Sequence, residues 1–191
     1  MGVVLLLSGC GLLDRPGPVV DLPSGPPATV HAGWPGCLRI GAFAQWAENP
    51  PDHGRGTVPN GFVTRTVVLC TVRDDPGATP IEDQRTAATG FEQHADDPAD
   101  VQKVIDYVAL PSQTQPDPGH VACPAIGELE PWLFLVDDAD RWIRPEFPRD
   151  TCGFTRGFRD GTPSPVQTLR YADTPVCRVP VDSVEWTCEP L

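Results

Sequence analysis

The sequence predicts an α+β domain, a mostly antiparallel sheet with one main helix, stabilised by disulfides. Three observations predict it. Phe62 to Val72 is a run rich in β-branched residues, an apolar stripe with helical spacing follows Asp97, and Trp132 to Ile143 reads as an apolar hairpin. Six cysteines between positions 37 and 188 offer cross-links.

The run from Phe62 to Val72 carries Thr and Arg early and apolar residues late, and Asp74-Asp75-Pro76-Gly77 ends it, so a central or near-central strand is expected. Pro80 to Gly90 suits a short strand or a frayed helix, and strand is the favoured reading. The helix starts with Asp97 as cap, Pro98 in the first turn and Asp100 where the macrodipole favours negative charge. Val101, Val104, Ile105 and Val108 then form one stripe, and the helix stops before Pro111. The hairpin pairs Trp132–Val136 with Arg141–Ile143 across the turn Asp137-Asp138-Ala139-Asp140. A second short helix is expected from Pro163 to about Tyr171 with Thr162 as cap, and final strands at Val176–Val179 and Val184–Thr187.

With 40% hydrophobic residues the chain can bury one core of ordinary size, although 24 Pro and 18 Gly among 191 residues make it loop-rich. A net charge of −12 offers no field for phosphate backbones, so nucleic acid is not expected as a partner.

The cysteines are Cys10, Cys37, Cys70, Cys123, Cys152, Cys177 and Cys188, with no closely spaced pair of the kind zinc or redox sites use. Cys10 stands apart at the end of a short apolar run. Leu7-Ser8-Gly9-Cys10 resembles the lipobox of bacterial lipoproteins, which implies that Cys10 receives a diacylglycerol thioether. The alternative is that Val3–Leu7 is a core strand and Cys10 a buried thiol. On the lipobox reading, residues 1–9 are a truncated or mis-started signal peptide, 10–33 a lipid-anchored Pro/Gly-rich tether, and 34–191 a single globular domain. The protein would then sit on the extracytoplasmic face of the cell membrane. Removing Cys10 leaves six cysteines, and six allow fifteen pairings. Order along the chain favours Cys37 with Cys70, Cys123 with Cys152, and Cys177 with Cys188.

Motifs for a serine nucleophile, a phosphate loop, a zinc helix or a dinucleotide are not found in the sequence, so no catalytic residue, metal or cofactor is expected. His31, His53, His94 and His120 fall at wide spacings and read as solvated loop residues. The acidic turn invites a calcium reading, but the EF-hand pattern fails at Ile143 and Arg149, and a plain turn is favoured. Of the tryptophans, Trp132 and Trp142 flank the hairpin turn; they read as a cross-strand core pair, with ligand binding as the alternative use. Asn49–Gly56 is a candidate recognition loop, with a flexible connection as the other reading.

Segment 109–153 resembles uncharacterised exported proteins of high-G+C Gram-positive bacteria in Pro111-Ser112, Cys123-Pro124, Leu135-Val136-Asp137 and Pro148-Arg149-Asp150-Thr151-Cys152-Gly153. A single lysine among 14 basic residues fits such a genome. Val67 to Cys152 is also similar to the secreted subtilisin-inhibitor family, with a strand ending in cysteine, a helix, a second cysteine, a hairpin and a closing cysteine. That likeness implies that Pro111–Cys123 is presented to a protease. The expected function is a membrane-anchored lipoprotein that binds a small ligand or another envelope protein; a protease inhibitor and an envelope hydrolase are the alternatives.

Overall fold

The computed structural model describes residues 18–41, 52–74, 88–114, 123, 130–157 and 163–179. In chain order the elements are β1 (Val20–Asp21), β2 (Thr64–Asp74), β3 (Ala88–Ala95), α1 (Pro98–Val108), β4 (Gln113–Thr114), β5 (Trp132–Asp137), β6 (Trp142–Ile143), α2 (Pro165–Thr168) and β7 (Ala172–Val179). Five strands form one antiparallel sheet in the order β6-β5-β2-β3-β7, and β1 and β4 form a separate two-stranded ribbon. The fold is thus the α+β class the sequence predicts, with β2 in the middle of the sheet. Because β3 and β5 both run antiparallel to β2, they are parallel to each other, and α1 carries the chain across β2 between them.

Local chemistry explains α1. Asp97 Oδ1 accepts from the N–H groups of Ala99 and Asp100, satisfying donors the helix itself cannot. Its buried stripe of Val101, Val104, Tyr107 and Val108 packs on Val67 and Leu69 of β2 and Leu133 and Leu135 of β5. The alternate residues of those strands, Val68, Cys70, Phe134 and Val136, point to the opposite face and belong to a second core with Trp132, Trp142, Cys37 and Ile40. The sheet is therefore buried on both faces.

Residues just ahead of the expected boundary at 34 also pack on the body. Ala28 is buried in the first core, and the stretch from Pro26 to His31 is tied to the body by hydrogen bonds from Ala28 N to Thr57 O (2.8 Å), Thr29 N to Gly54 O (2.8 Å) and His31 N to Trp142 O (2.9 Å). Proline does not prevent this. The donors are Ala28, Thr29 and His31, while Pro26 contributes only its carbonyl, which accepts from Thr57 N at 2.9 Å. Further upstream, β1 pairs with β4. Residues 1–17, with Cys10, lie outside the described residues.

Gly56 lies where these segments cross. A Cβ there would stand 2.8 Å from Ala28 N and would also press on Pro26 O, both of them backbone atoms. Gly56→Ala should cost about 1–3 kcal/mol by overpacking. A change in the denaturant midpoint corresponding to less than half a kcal/mol would show that the strap from Pro26 to His31 yields freely.

The hairpin and helix expectations are met in outline and corrected in detail. Leu135 pairs with Ile143 and Val136 with Trp142, so Trp132, opposite Cys70, is not the cross-strand partner of Trp142. The second helix is only Pro165–Thr168, with Ser164 rather than Thr162 as cap, and it ends before Tyr171 because Leu169 turns extended (ψ 153°) and enters the first core. Among the described residues two disulfides form, Cys37–Cys70 (Cα–Cα 5.7 Å) and Cys123–Cys152 (5.5 Å). Cys177 lies on β7, whereas Cys188, the expected bridge between them and the strand at Val184–Thr187 lie outside the described residues.

Candidate functional site

The second face of the sheet holds most of the chemistry-bearing side chains. Trp132 and Trp142 are only 4% and 5% exposed. Phe134 lies between them, with ring centroids 6.2 and 5.5 Å away. The Arg144 guanidinium sits 4.4 Å above the Trp132 ring, and His31 stacks on Trp142 at 4.2 Å with an 18° interplanar angle. With those faces occupied, the two indoles pack as core and do not line an open groove.

His31 and His53 are not the solvated loop residues expected. Both are half-buried in this aromatic layer. His31 Nε2 is 3.1 Å from the carbonyl of His53, and His53 Nε2 is 2.8 Å from that of Ile40, so each ring donates through Nε2. His53 and Gly54 both have positive φ (55° and 60°), a tight turn that aims the His53 ring at Phe134 and Trp142. Of the candidate recognition loop, 49–51 lie outside the described residues, and His53–Gly56 pack against the strap instead of standing free.

Glu92, on β3 opposite Cys70, is the polar hub that sequence reasoning missed. Its side chain is 14% exposed and accepts from Trp34 Nε1 (2.8 Å), Cys37 N (2.7 Å) and His94 Nε2 (2.8 Å). Burial alone would raise the carboxyl, but the His94, Trp34 and Cys37 donors outweigh it and hold the pKa below 4.5. Beside this hub a shallow hollow of about 360 Å³ is lined by Trp34, Arg65, His94, Asp138 and Asp140. Trp34 is locked there, since Asp140 Oδ2 also accepts from its backbone N–H at 3.1 Å. The charged and hydrogen-bonding rim suits a polar ligand. Glu92 itself, engaged by three donors, is committed to holding the cover in place.

His53 and Glu92 both contribute to the pH dependence of stability. Burial is the largest influence on His53, and Arg144 and His31 act in the same direction; together they outweigh the Ile40 hydrogen bond and Asp52, so its pKa lies below 6.5. At pH well above 6.5 the ring is neutral whether the chain is folded or not. As pH falls below 6.5 the unfolded chain takes up a proton that the folded state resists, so stability declines from there to the folded pKa. Glu92 adds a second decline, since its stabilisation is present above 4.5 and is lost as pH falls through its depressed folded value. In denaturant midpoints measured against pH, His53→Gln, which keeps a donor for Ile40, should lack the first decline. Parallel curves for variant and wild type would refute the assignment.

The acidic turn is a turn. Asp137 Oδ1 accepts from Ala139 N (3.0 Å) and Arg141 N (2.9 Å), and Oδ2 from Arg141 Nε (2.8 Å). Burial opposes ionisation of Asp137, and the Arg141 side chain and these N–H groups outweigh it, leaving the pKa below 3.8. Asp140 supplies the left-handed residue (φ 59°). Among the described residues no group of three or more His, Cys, Asp or Glu is placed to hold a metal ion. On the Trp132 side, Glu130 receives Arg55 Nη1 at 2.7 and 2.8 Å and also Arg149 Nη2, an ion-pair set that ties three separate segments. His94 meets Glu92, and His120 lies outside the described residues.

No family model matches the chain, and neither a curated protein nor a solved structure matches it. One signal in the sequence points to the covered second face. Trp132–Val136 is apolar throughout, where a strand with one wet face would alternate.

Proposed function

We propose that this is an exported lipoprotein, anchored through Cys10 at the extracytoplasmic membrane surface, whose disulfide-linked domain binds a ligand or a protein partner. The observation that carries the reading is the bonding of Cys37 to Cys70 and of Cys123 to Cys152, because such bridges persist in oxidising compartments. It supports export, and Leu7-Ser8-Gly9-Cys10 then supplies the attachment chemistry. The hollow beside Trp34 and His94 is the place for a ligand. Among the described residues no helix is long and apolar enough to cross a membrane. The test is the intact mass of protein taken from the membrane fraction. A mature N-terminus at Cys10 carrying a diacylglyceryl group, together with release of Cys10→Ser into the soluble fraction, supports the proposal; an unmodified Cys10 with unchanged fractionation refutes it.

A second reading, a protease inhibitor, is favoured by how Pro111–Cys123 is held. At one end Gln113 N donates to Arg149 O (2.8 Å) and Arg149 N to Ser112 Oγ (3.0 Å); at the other Cys123 is bonded to Cys152. Both flanks therefore converge on residues 149–152, while 115–122 lie outside the described residues. Titration against subtilisin-type proteases decides: stoichiometric inhibition supports this reading, and steady cleavage within the stretch rejects it.

A further inference from the structure

We infer that the aliphatic end of the domain formed by Val20, Leu22 and Leu110, with Val19 at its margin, rests on the lipid surface; the inference depends on anchoring through Cys10. Seven large hydrophobic residues are exposed among those described, and three of them gather here: Val20 (44%), Leu22 (42%) and Leu110 (42%), with Val19 (53%) next in the chain. The hydrogen bond from Leu22 N to Ser112 O (2.7 Å) and the pairing of β1 with β4 hold Val20 and Leu22 beside the C-terminal end of α1, where Leu110 lines the same hollow as Pro23. The alternation of an extended strand sends Val20 and Leu22 to one side and Asp21 to the other, where Gln113 Nε2 donates to the Asp21 carboxylate at 3.4 Å. The aliphatic side thus carries no charge of its own strand.

The length of chain between anchor and patch selects the occupant. Pro18 follows Cys10 by eight residues, a reach of at most about 28 Å, so the patch cannot leave the neighbourhood of the bilayer when Cys10 is acylated. Tethering at that range gives a high effective concentration, and a weak apolar contact is then occupied. A net charge of −12 gives no electrostatic attraction to anionic lipids, so the contact is apolar and persists at high salt.

The test uses the acylated full-length protein in phosphatidylcholine vesicles containing a diazirine-bearing phosphatidylcholine, with flotation followed by photolysis and peptide mapping. The expected result is flotation with lipid adducts concentrated on 18–22 and 109–112, persisting in high salt, and at least about tenfold fewer adducts there for Val20→Ser/Leu22→Ser although that variant still floats. Flotation with adducts elsewhere, for instance at the separate exposed Val63, or with none, overturns the inference while leaving the anchor standing. Failure of the wild-type protein to float, with no acyl mass on Cys10, removes the anchor and the inference with it.

Discussion

Phe134→Ala is expected to lower the unfolding free energy by about 3–5 kcal/mol, the range for removing a large aromatic side chain from a closed core. Phe134 is 0% exposed on β5 and meets Trp34, Trp132, Trp142 and His53 at centroid distances of 5.1 to 6.3 Å. Its neighbours come from both the sheet and the covering segments, and the Cys37–Cys70 disulfide restrains how far they can collapse into the void. Edge-to-face contacts add about 0.5–1.5 kcal/mol each beyond the area buried. Against a total stability of about 5–15 kcal/mol for a domain this size, the variant should be marginal. Phe134→Leu should lose less. Denaturant unfolding checks the magnitude, and near-ultraviolet circular dichroism checks the location: Phe134→Ala should alter the tryptophan bands, whereas Leu135→Ala, on the α1 face, should leave them nearly unchanged. A loss below about 1 kcal/mol for Phe134→Ala would mean that the second face is not a packed core.

Cys37→Ala/Cys70→Ala is expected to cost about 3–4 kcal/mol from the chain-entropy relation for a closure of this length. The bridge spans 33 residues and joins the covering segment to the middle strand, with Cys37 fully buried. Its removal also frees the backbone that Glu92 grips through Cys37 N, so Trp34 and the hollow beside it should loosen before the α1 face does. Hydrogen exchange reports this directly. Faster exchange confined to residues 28–41 and 52–57, with α1 unchanged, is the expected pattern; equal protection in variant and wild type would contradict it.

Much of the first core was legible. The cap at Asp97, the stripe from Val101 to Val108 and the β-branched run ending in Cys70 are local patterns whose physics operates within a few residues, so they survive reading one segment at a time. The order of cysteines along the chain also led to the two bridges observed. The second core was not legible in the same way. Pro26 to His31 reads as a flexible leash because its prolines lack donors, yet the donors it needs are on Ala28, Thr29 and His31, and their acceptors lie 25 residues or more away in sequence. His31 and His53 carry no periodicity, and their burial depends on Trp142, Phe134 and Ile40 meeting them from three other segments.

Composition and spacing by themselves determined an acidic, cross-linked α+β chain with one amphipathic helix and an apolar hairpin, because charge, cysteine order and hydrophobic period are properties of neighbours along the chain. Tertiary structure alone decided that both faces of the sheet are covered, that Glu92 gathers Trp34, Cys37 and His94, and that the residues flanking 115–122 meet at 149–152. Each of these joins groups far apart in sequence, and which distant partners satisfy a buried donor or carboxylate is settled only when the segments pack and water is excluded.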